Sequence, residues 1–290
     1  MSNDNSREWL LSKNSFFAKN TIQKKTKKSH TISITSGKGG VGKSSICLKM
    51  SKIISDWGFK VLVIDCDYNL SNTAIKLGLP LNNDFYSLVK KEKTFEECLF
   101  IDGNFHLLSG CNGNLDFFSN QFELDRFVIN LLLEKKPEYD FVFLDCPAGL
   151  SKESLSLNAY TDFRFFIINP DQSSLTDSYS LMKILKNNYG VRENHVLLNM
   201  ISNLDQYKRI IKGLSETVEN YLSCRLNVLG WLPREEKNSG TFNEMVLDDP
   251  NSIIHRNLLK ILKQFAEKSL DIDFTGNKFE FERDLIKSQF

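Results

Sequence analysis

The stretch that most constrains this chain is Gly37-Lys38-Gly39-Gly40-Val41-Gly42-Lys43-Ser44, which follows directly on the alternating run Thr31–Thr35. It satisfies the pattern G-x-x-x-x-G-K-[ST] in the setting that gives the pattern meaning, a strand entering the loop and a helix leaving it. Ile46, Met50, Ile53, Ile54 and Trp57 supply the helical spacing of apolar residues after the loop. Glycines let successive backbone N–H groups turn inward around phosphate oxygens, at the positive end of the following helix. Gly37, Gly39, Gly40, Val41, Gly42 and Ser45 complete this cradle with Lys38. Lys43 is placed to bridge β- and γ-phosphates, and the Ser44 hydroxyl to ligate Mg²⁺. Lys38 adds a second cation beside a polyanion; a solvated loop lysine is its other reading.

Around the loop the pattern alternates strand and helix. Strand-like runs are Thr31–Thr35, Val61–Asp65, Phe105–Ser109, Phe141–Asp145, Arg164–Asn169, His195–Asn199 and Asn227–Trp231. Helical spacing fills most of the gaps, as in Phe122–Leu133, Asp177–Lys186 and Ile210–Tyr221. The fold class expected is therefore α/β, a mostly parallel twisted sheet with helices on both faces. Ligands of such sheets bind beyond the carboxyl ends of the strands.

Composition narrows the class of partner. The 290 residues carry 37 Lys+Arg against 36 Asp+Glu, so no bulk charge draws the chain to nucleic acid. No apolar run approaches the roughly 18–20 residues that span a bilayer. Asp4 and Glu8 near the start do not fit a signal peptide. The six cysteines contain no Cys-x-x-Cys pair and read as buried free thiols of a reducing cytoplasm. Residues 1–30 are Lys-rich and read as a mobile arm. Its apolar patch, Trp9, Leu10, Leu11, Phe16 and Phe17, is either a short packed helix or a partner-binding element. Residues 31–270 form the expected main domain, and 271–290 a C-terminal tail.

With Lys38, the loop reads K-G-G-V-G-K-S and resembles the deviant Walker A motif of the MinD/ParA/Mrp branch of P-loop ATPases. The resemblance implies ATP with Mg²⁺, slow hydrolysis stimulated by a partner, and a nucleotide-sandwich homodimer in which Lys38 reaches the partner's phosphates. Val61–Asp65 followed by Cys66-Asp67 resembles the family's first switch, which implies that Asp67 positions the attacking water. Asp65, on the same face if the strand continues, supports it and meets the metal through water. Capping of the next helix is the alternative for Asp67. Phe141–Asp145 followed by Cys146-Pro147-Ala148-Gly149 resembles Walker B and the second switch, so Asp145 would hold Mg²⁺ through water while Gly149 lets the loop move. The resemblance further implies that Asn199 pairs with the adenine edge, and that the loop at Pro233 and Glu235 packs on the base. A turn residue and a surface acid are the other readings of Asn199 and Glu235.

Within the branch, residues 207–270 mix both charge signs, which argues against ParA-like tracking of DNA phosphates and for no specific nucleic acid. The N-terminal extension and the segment Pro170–Lys183 resemble FlhG-type proteins (FleN, YlxH), implying control of flagellar number or placement. A division or cargo-positioning ATPase of MinD or ParA type is the alternative. An iron–sulfur carrier of Mrp type is a third reading, disfavoured by unpaired cysteines. An FlhF-like GTPase is the implied partner, although the family's N-terminal activating motif is not recognisable in residues 1–30. The tail Lys278–Phe290 has a split apolar surface and balanced charge. It reads as packing on the domain or a partner more readily than as a reversible membrane contact.

Overall fold

The computed structural model describes residues 29–67, 73–80, 82–110, 123–234, 250–270 and 272. The N-terminal arm, residues 68–72, Cys111, Glu235 and the tail from 273 onward lie outside the described residues. Eight strands follow one another as β1 (His30–Thr35), β2 (Val61–Asp65), β3 (Leu99–Asp102), β4 (Phe105–Leu108), β5 (Phe141–Asp145), β6 (Phe163–Ile168), β7 (Glu193–Ile201) and β8 (Arg225–Pro233). The α-helices are α1 (Lys43–Asp56), α2 (Thr73–Lys76), α3 (Asp84–Val89), α4 (Leu124–Lys135), α5 (Lys152–Tyr160), α6 (Gln172–Tyr189), α7 (Leu204–Thr217) and α8 (Ile253–Leu270). No described helix is long and apolar enough to cross a membrane.

The strands form one sheet in the order β3-β4-β2-β5-β1-β6-β7-β8. Every neighbouring pair is parallel except β3–β4. Apolar runs such as Phe141–Leu144 fit because both faces are covered, each residue of the run being no more than 3% exposed. Residues of one parity, including Ile32, Ile34, Val61, Val63, Phe141 and Phe143, pack under α1 and α8. The opposite parity packs on α3, α4 and α5 beneath β2 and β5, and on α6 and α7 beneath β6 and β7. The five described cysteines are all buried and free, as expected.

Strand β3 was not expected from the sequence. Phe100 and Ile101 are substantially exposed, and the strand is created by antiparallel pairing with β4 across a turn at Gly103 (φ 57°). Helix α6 begins at Gln172, earlier than the apolar spacing from Asp177 indicates, because the Asp171 carboxylate caps it by accepting from the Ser174 N–H. The helix ends at Gly190, left-handed at φ 72°. The spacing over 210–221 resolves into α7 and a wider turn of π type at Val218–Leu222.

β1 has a polar face inside the molecule. Ser33 Oγ donates to Asn158 Oδ1 (2.8 Å), Asn158 Nδ2 donates to Thr35 Oγ1 (3.0 Å) and Ser154 O (2.7 Å), and Thr161 Oγ1 donates to Ser33 Oγ (3.0 Å). This seam fastens α5 to the strand that delivers the glycine loop. Its members are fully or nearly fully buried, so each relies on its partner for the hydrogen bonds water would otherwise supply.

Candidate functional site

The glycine loop leaves the carboxyl end of the central strand β1 and enters α1. Gly40 (φ 76°) and Gly42 (φ 96°) adopt left-handed backbone. A Cβ on Gly37 would lie 2.2 Å from the Asp177 carbonyl carbon and 2.3 Å from the Ser178 nitrogen, so only glycine lets the loop rest on α6. The Gly37 N–H donates to Ser178 Oγ (3.4 Å), and Ser36 Oγ folds back onto Lys38 O (2.6 Å). On the loop's other side, a Cβ on Gly39 or Gly40 would meet nothing within 4 Å, so that backbone faces open space. Val41 is buried and anchors the loop in the core beneath α1 and α8, while Lys43, Ser44 and Ser45 form the first turn of α1.

Strand register brings two acids together. Asp65 and Asp145 are direct partners across β2–β5, and alternation turns both towards the α1 face. Asp65 is 1% exposed; its Oδ1 accepts the Asp67 N–H (3.0 Å) and its Oδ2 accepts the Thr73 hydroxyl (2.6 Å). Asp145 is hydrogen-bonded to Ser44, yet its Oδ1 is buried with no hydrogen-bond partner. Burial first, then the Asp65 charge, push the Asp145 carboxyl up to about 7, while Ser44 and Lys43 pull it down. A partnerless buried oxygen among acids, beside a serine hydroxyl and a lysine, is a donor set that fits a hard divalent cation. The structure therefore assembles Lys43, Ser44, Asp65, Asp67 and Asp145 at one strand edge.

Lys38 contacts residues of its own chain. Its Nζ donates to Ser173 Oγ (2.8 Å) and Asp171 Oδ1 (3.2 Å) at the start of α6. The Ser173 hydroxyl and the Ser174 N–H hold the Asp171 carboxyl down at about 2, with Lys38 adding to them. Asp171 and Ser173 were visible only as members of a motif, and nothing marked them as partners of Lys38.

Asn199 is not a turn residue. It lies within β7 at an irregularity where pairing to β8 shifts between Leu198 and Ile201 and Met200 takes φ 59°. There its Nδ2 donates to Val41 O (2.8 Å), close enough that a Cβ on Gly42 would stand 2.7 Å from it. The side chain thus braces the glycine loop. Pro233 closes β8 opposite Ile201, beside that irregularity. Thr73 belongs to no motif, and only the structure sets its hydroxyl on Asp65.

A glycine loop on the central strand of a parallel sheet, flanked by paired acids at neighbouring strand ends, defines a P-loop nucleotide-binding protein. The chain belongs to the CobQ/CobB/MinD/ParA nucleotide binding domain family, whose model matches residues 32–271. It is 27% identical to the flagellum site-determining protein YlxH of Helicobacter pylori over 267 residues, 87% of this chain and 88% of that one. It is 22% identical to the antiactivator FleN of Pseudomonas aeruginosa over 206 residues, 71% of this chain and 74% of that one. Among solved structures, the septum site-determining protein MinD of Pyrococcus horikoshii, complexed with Mg-ADP, superposes with a TM-score of 0.68 at 21% identity, covering 84% of this chain and 98% of that one.

Proposed function

We propose that the protein binds and slowly hydrolyses Mg²⁺-ATP and acts as an ATP-dependent dimer switch that regulates flagellar number or placement. The observation that carries the nucleotide reading is the glycine loop, its backbone open at Gly39 and Gly40, together with the partnerless Asp145 oxygen. Lys43 and the loop N–H groups bind the phosphates, and Ser44 and Asp145 hold the metal, Asp145 through water. When bound, Mg²⁺ neutralises charge developing on the transferred phosphoryl group. Asp67 orients a water towards that group and accepts its proton. Asn199 steadies the loop from the base side, and Pro233 with Glu235 lines the base.

Lys38 supports the dimer reading. Its amine is about half exposed and held only by an exposed pair at the lip of the loop, from which it can swing to a second copy's phosphates. The flagellar reading rests on the extent of the YlxH match and on the FleN match, both at low identity. A partner such as a signal-recognition-type GTPase, and reversible peripheral contact with the inner face of the membrane, belong to the same proposal.

Phosphate release from ATP, measured with purified protein, tests the chemistry. Asp67→Ala is expected to bind ATP and remain dimeric while turnover collapses; unchanged turnover would remove Asp67 from its role. Deleting the gene in its own organism and counting flagella tests the biology, and unchanged number and position would refute it.

A further inference from the structure

The chain fastens two separated points, Asp67 and Thr73, to one buried carboxylate. Asp65 accepts the Asp67 backbone N–H on one oxygen (3.0 Å) and the Thr73 hydroxyl on the other (2.6 Å). Thr73 is 0% exposed, so water does not compete for its hydroxyl. It is the first described residue of helix α2. Its hydroxyl gives its single proton to Asp65, a charge-assisted bond in a site from which solvent is excluded.

A second observation places the same helix over the reacting groups. Lys76, at the other end of α2, is partly buried; burial lowers its pKa while the Asp145 charge raises it. Helix α2 therefore stands close to the acid pair, and the Thr73–Asp65 bond sets that distance. The two acids are register partners, and the Asp65 charge acts on Asp145.

We propose that Thr73 is a positioning residue for ATP hydrolysis. By holding Asp65 it fixes the backbone of Asp67, and so the place from which the Asp67 carboxylate addresses the water. The inference rests on the role proposed for Asp67 and adds a residue that neither touches nucleotide nor belongs to a motif. Without the hydroxyl, Asp65 loses one of its tethers, and the acceptor that seats the Asp67 N–H is held less firmly. Phosphate binding, which depends on the loop N–H groups and Lys43, stays intact.

The experiment compares Thr73→Val, which keeps the branched shape, with Thr73→Ser, which keeps the hydroxyl, and uses Asp67→Ala as reference. Turnover is measured per nucleotide-loaded site, so that misfolded protein does not count, together with KM and the affinity for a fluorescent ATP analogue. Thr73→Val should lower kcat by about ten- to a hundredfold, the range a small misplacement of a catalytic group produces. Its KM and analogue affinity should stay within about twofold, because ground-state binding is untouched. Thr73→Ser should recover kcat to within about threefold of wild type, a rescue that packing alone would not give. If Thr73→Val does not fold, Thr73→Ala carries the same expectation. Wild-type kcat in Thr73→Val or Thr73→Ala, with Asp67→Ala inactive, overturns the proposal and leaves the Asp67 reading standing. Full activity in Asp67→Ala overturns both. Loss of affinity in parallel with kcat, unrelieved in Thr73→Ser, would show a structural role and also overturn it.

Discussion

Replacing Asp145 by asparagine should stabilise the nucleotide-free protein while destroying its metal-dependent function. The carboxyl is buried beside Asp65 and is raised from 3.8 to about 7. The sign follows from comparing proton binding in the two states. Below about pH 4 both folded and unfolded chains hold the proton, and the group contributes no pH dependence. Between there and about pH 7 the unfolded chain ionises while the native protein keeps its proton, so native stability falls as pH rises. Above about pH 7 the full penalty is present. Each tenfold change in proton affinity is about 1.4 kcal/mol. Ionised Asp145 therefore costs the fold roughly 2–4 kcal/mol at pH 8, the lower end applying where Asp65 shares the proton. Asp145→Asn keeps the shape and the capacity to meet Ser44, and should raise the melting temperature by roughly 4–16 °C at pH 8, with little gain at pH 4. Melting curves at pH 4, 6 and 8, without nucleotide and with chelator, decide it. A variant less stable than wild type at pH 8, or a gain independent of pH, would refute the electrostatic argument. Addition of Mg²⁺-ADP should stabilise wild type at pH 8 and leave the variant unmoved.

How much of this could be read beforehand depends on how local each feature is. Most of the seven expected strands were legible as short apolar runs covered on both faces, as in Val61–Ile64 and Phe141–Leu144. β3 was not, since a half-exposed four-residue strand is made by its partner. The glycine loop was legible because its residues are contiguous and each has a fixed task. That Asp65 stands against Asp145 follows from strand order, and nothing in either strand states that order; the family resemblance supplied it. The seam on β1 shows the same limit. Ser33 and Thr35 announce a polar face, but their partner Asn158 lies 125 positions from Ser33 and resembles any surface asparagine. Lys38 was singled out by its place in the loop, yet its partners in the structure belong to a helix start known only by its capping residues. Thr73 is the extreme case. One hydroxyl in a four-residue helix has no periodicity, and only its distance to Asp65 gives it meaning.

Three further outcomes follow from the geometry. Gly37→Ala should abolish nucleotide binding in calorimetry, because its Cβ would fall 2.2 Å from backbone of α6 and the loop must lift off; retained affinity would show that the loop does not need that seat. Asn158→Ala removes three buried hydrogen bonds and should destabilise the protein by about 2–4 kcal/mol, at about 1 kcal/mol each plus the cost of stranded hydroxyls, read as a lowered melting temperature. Lys38→Ala separates the two states of the switch. In the structure Lys38 and Asp171 are 46% and 45% exposed, and an exposed pair of this kind contributes about 0–1 kcal/mol, so the monomer should melt within about 4 °C of wild type. Asp171 keeps its cap on Ser174 without the lysine, so α6 is not undone. Any large effect must then arise in a state where Lys38 faces far more charge, which the phosphates of a second copy would supply. Light scattering with a non-hydrolysable ATP analogue should show wild type as a dimer and Lys38→Ala as a monomer that still binds the analogue. A dimer formed equally well by Lys38→Ala would refute the switch, whereas a large loss of monomer stability would mean that the contact with α6 had been underestimated.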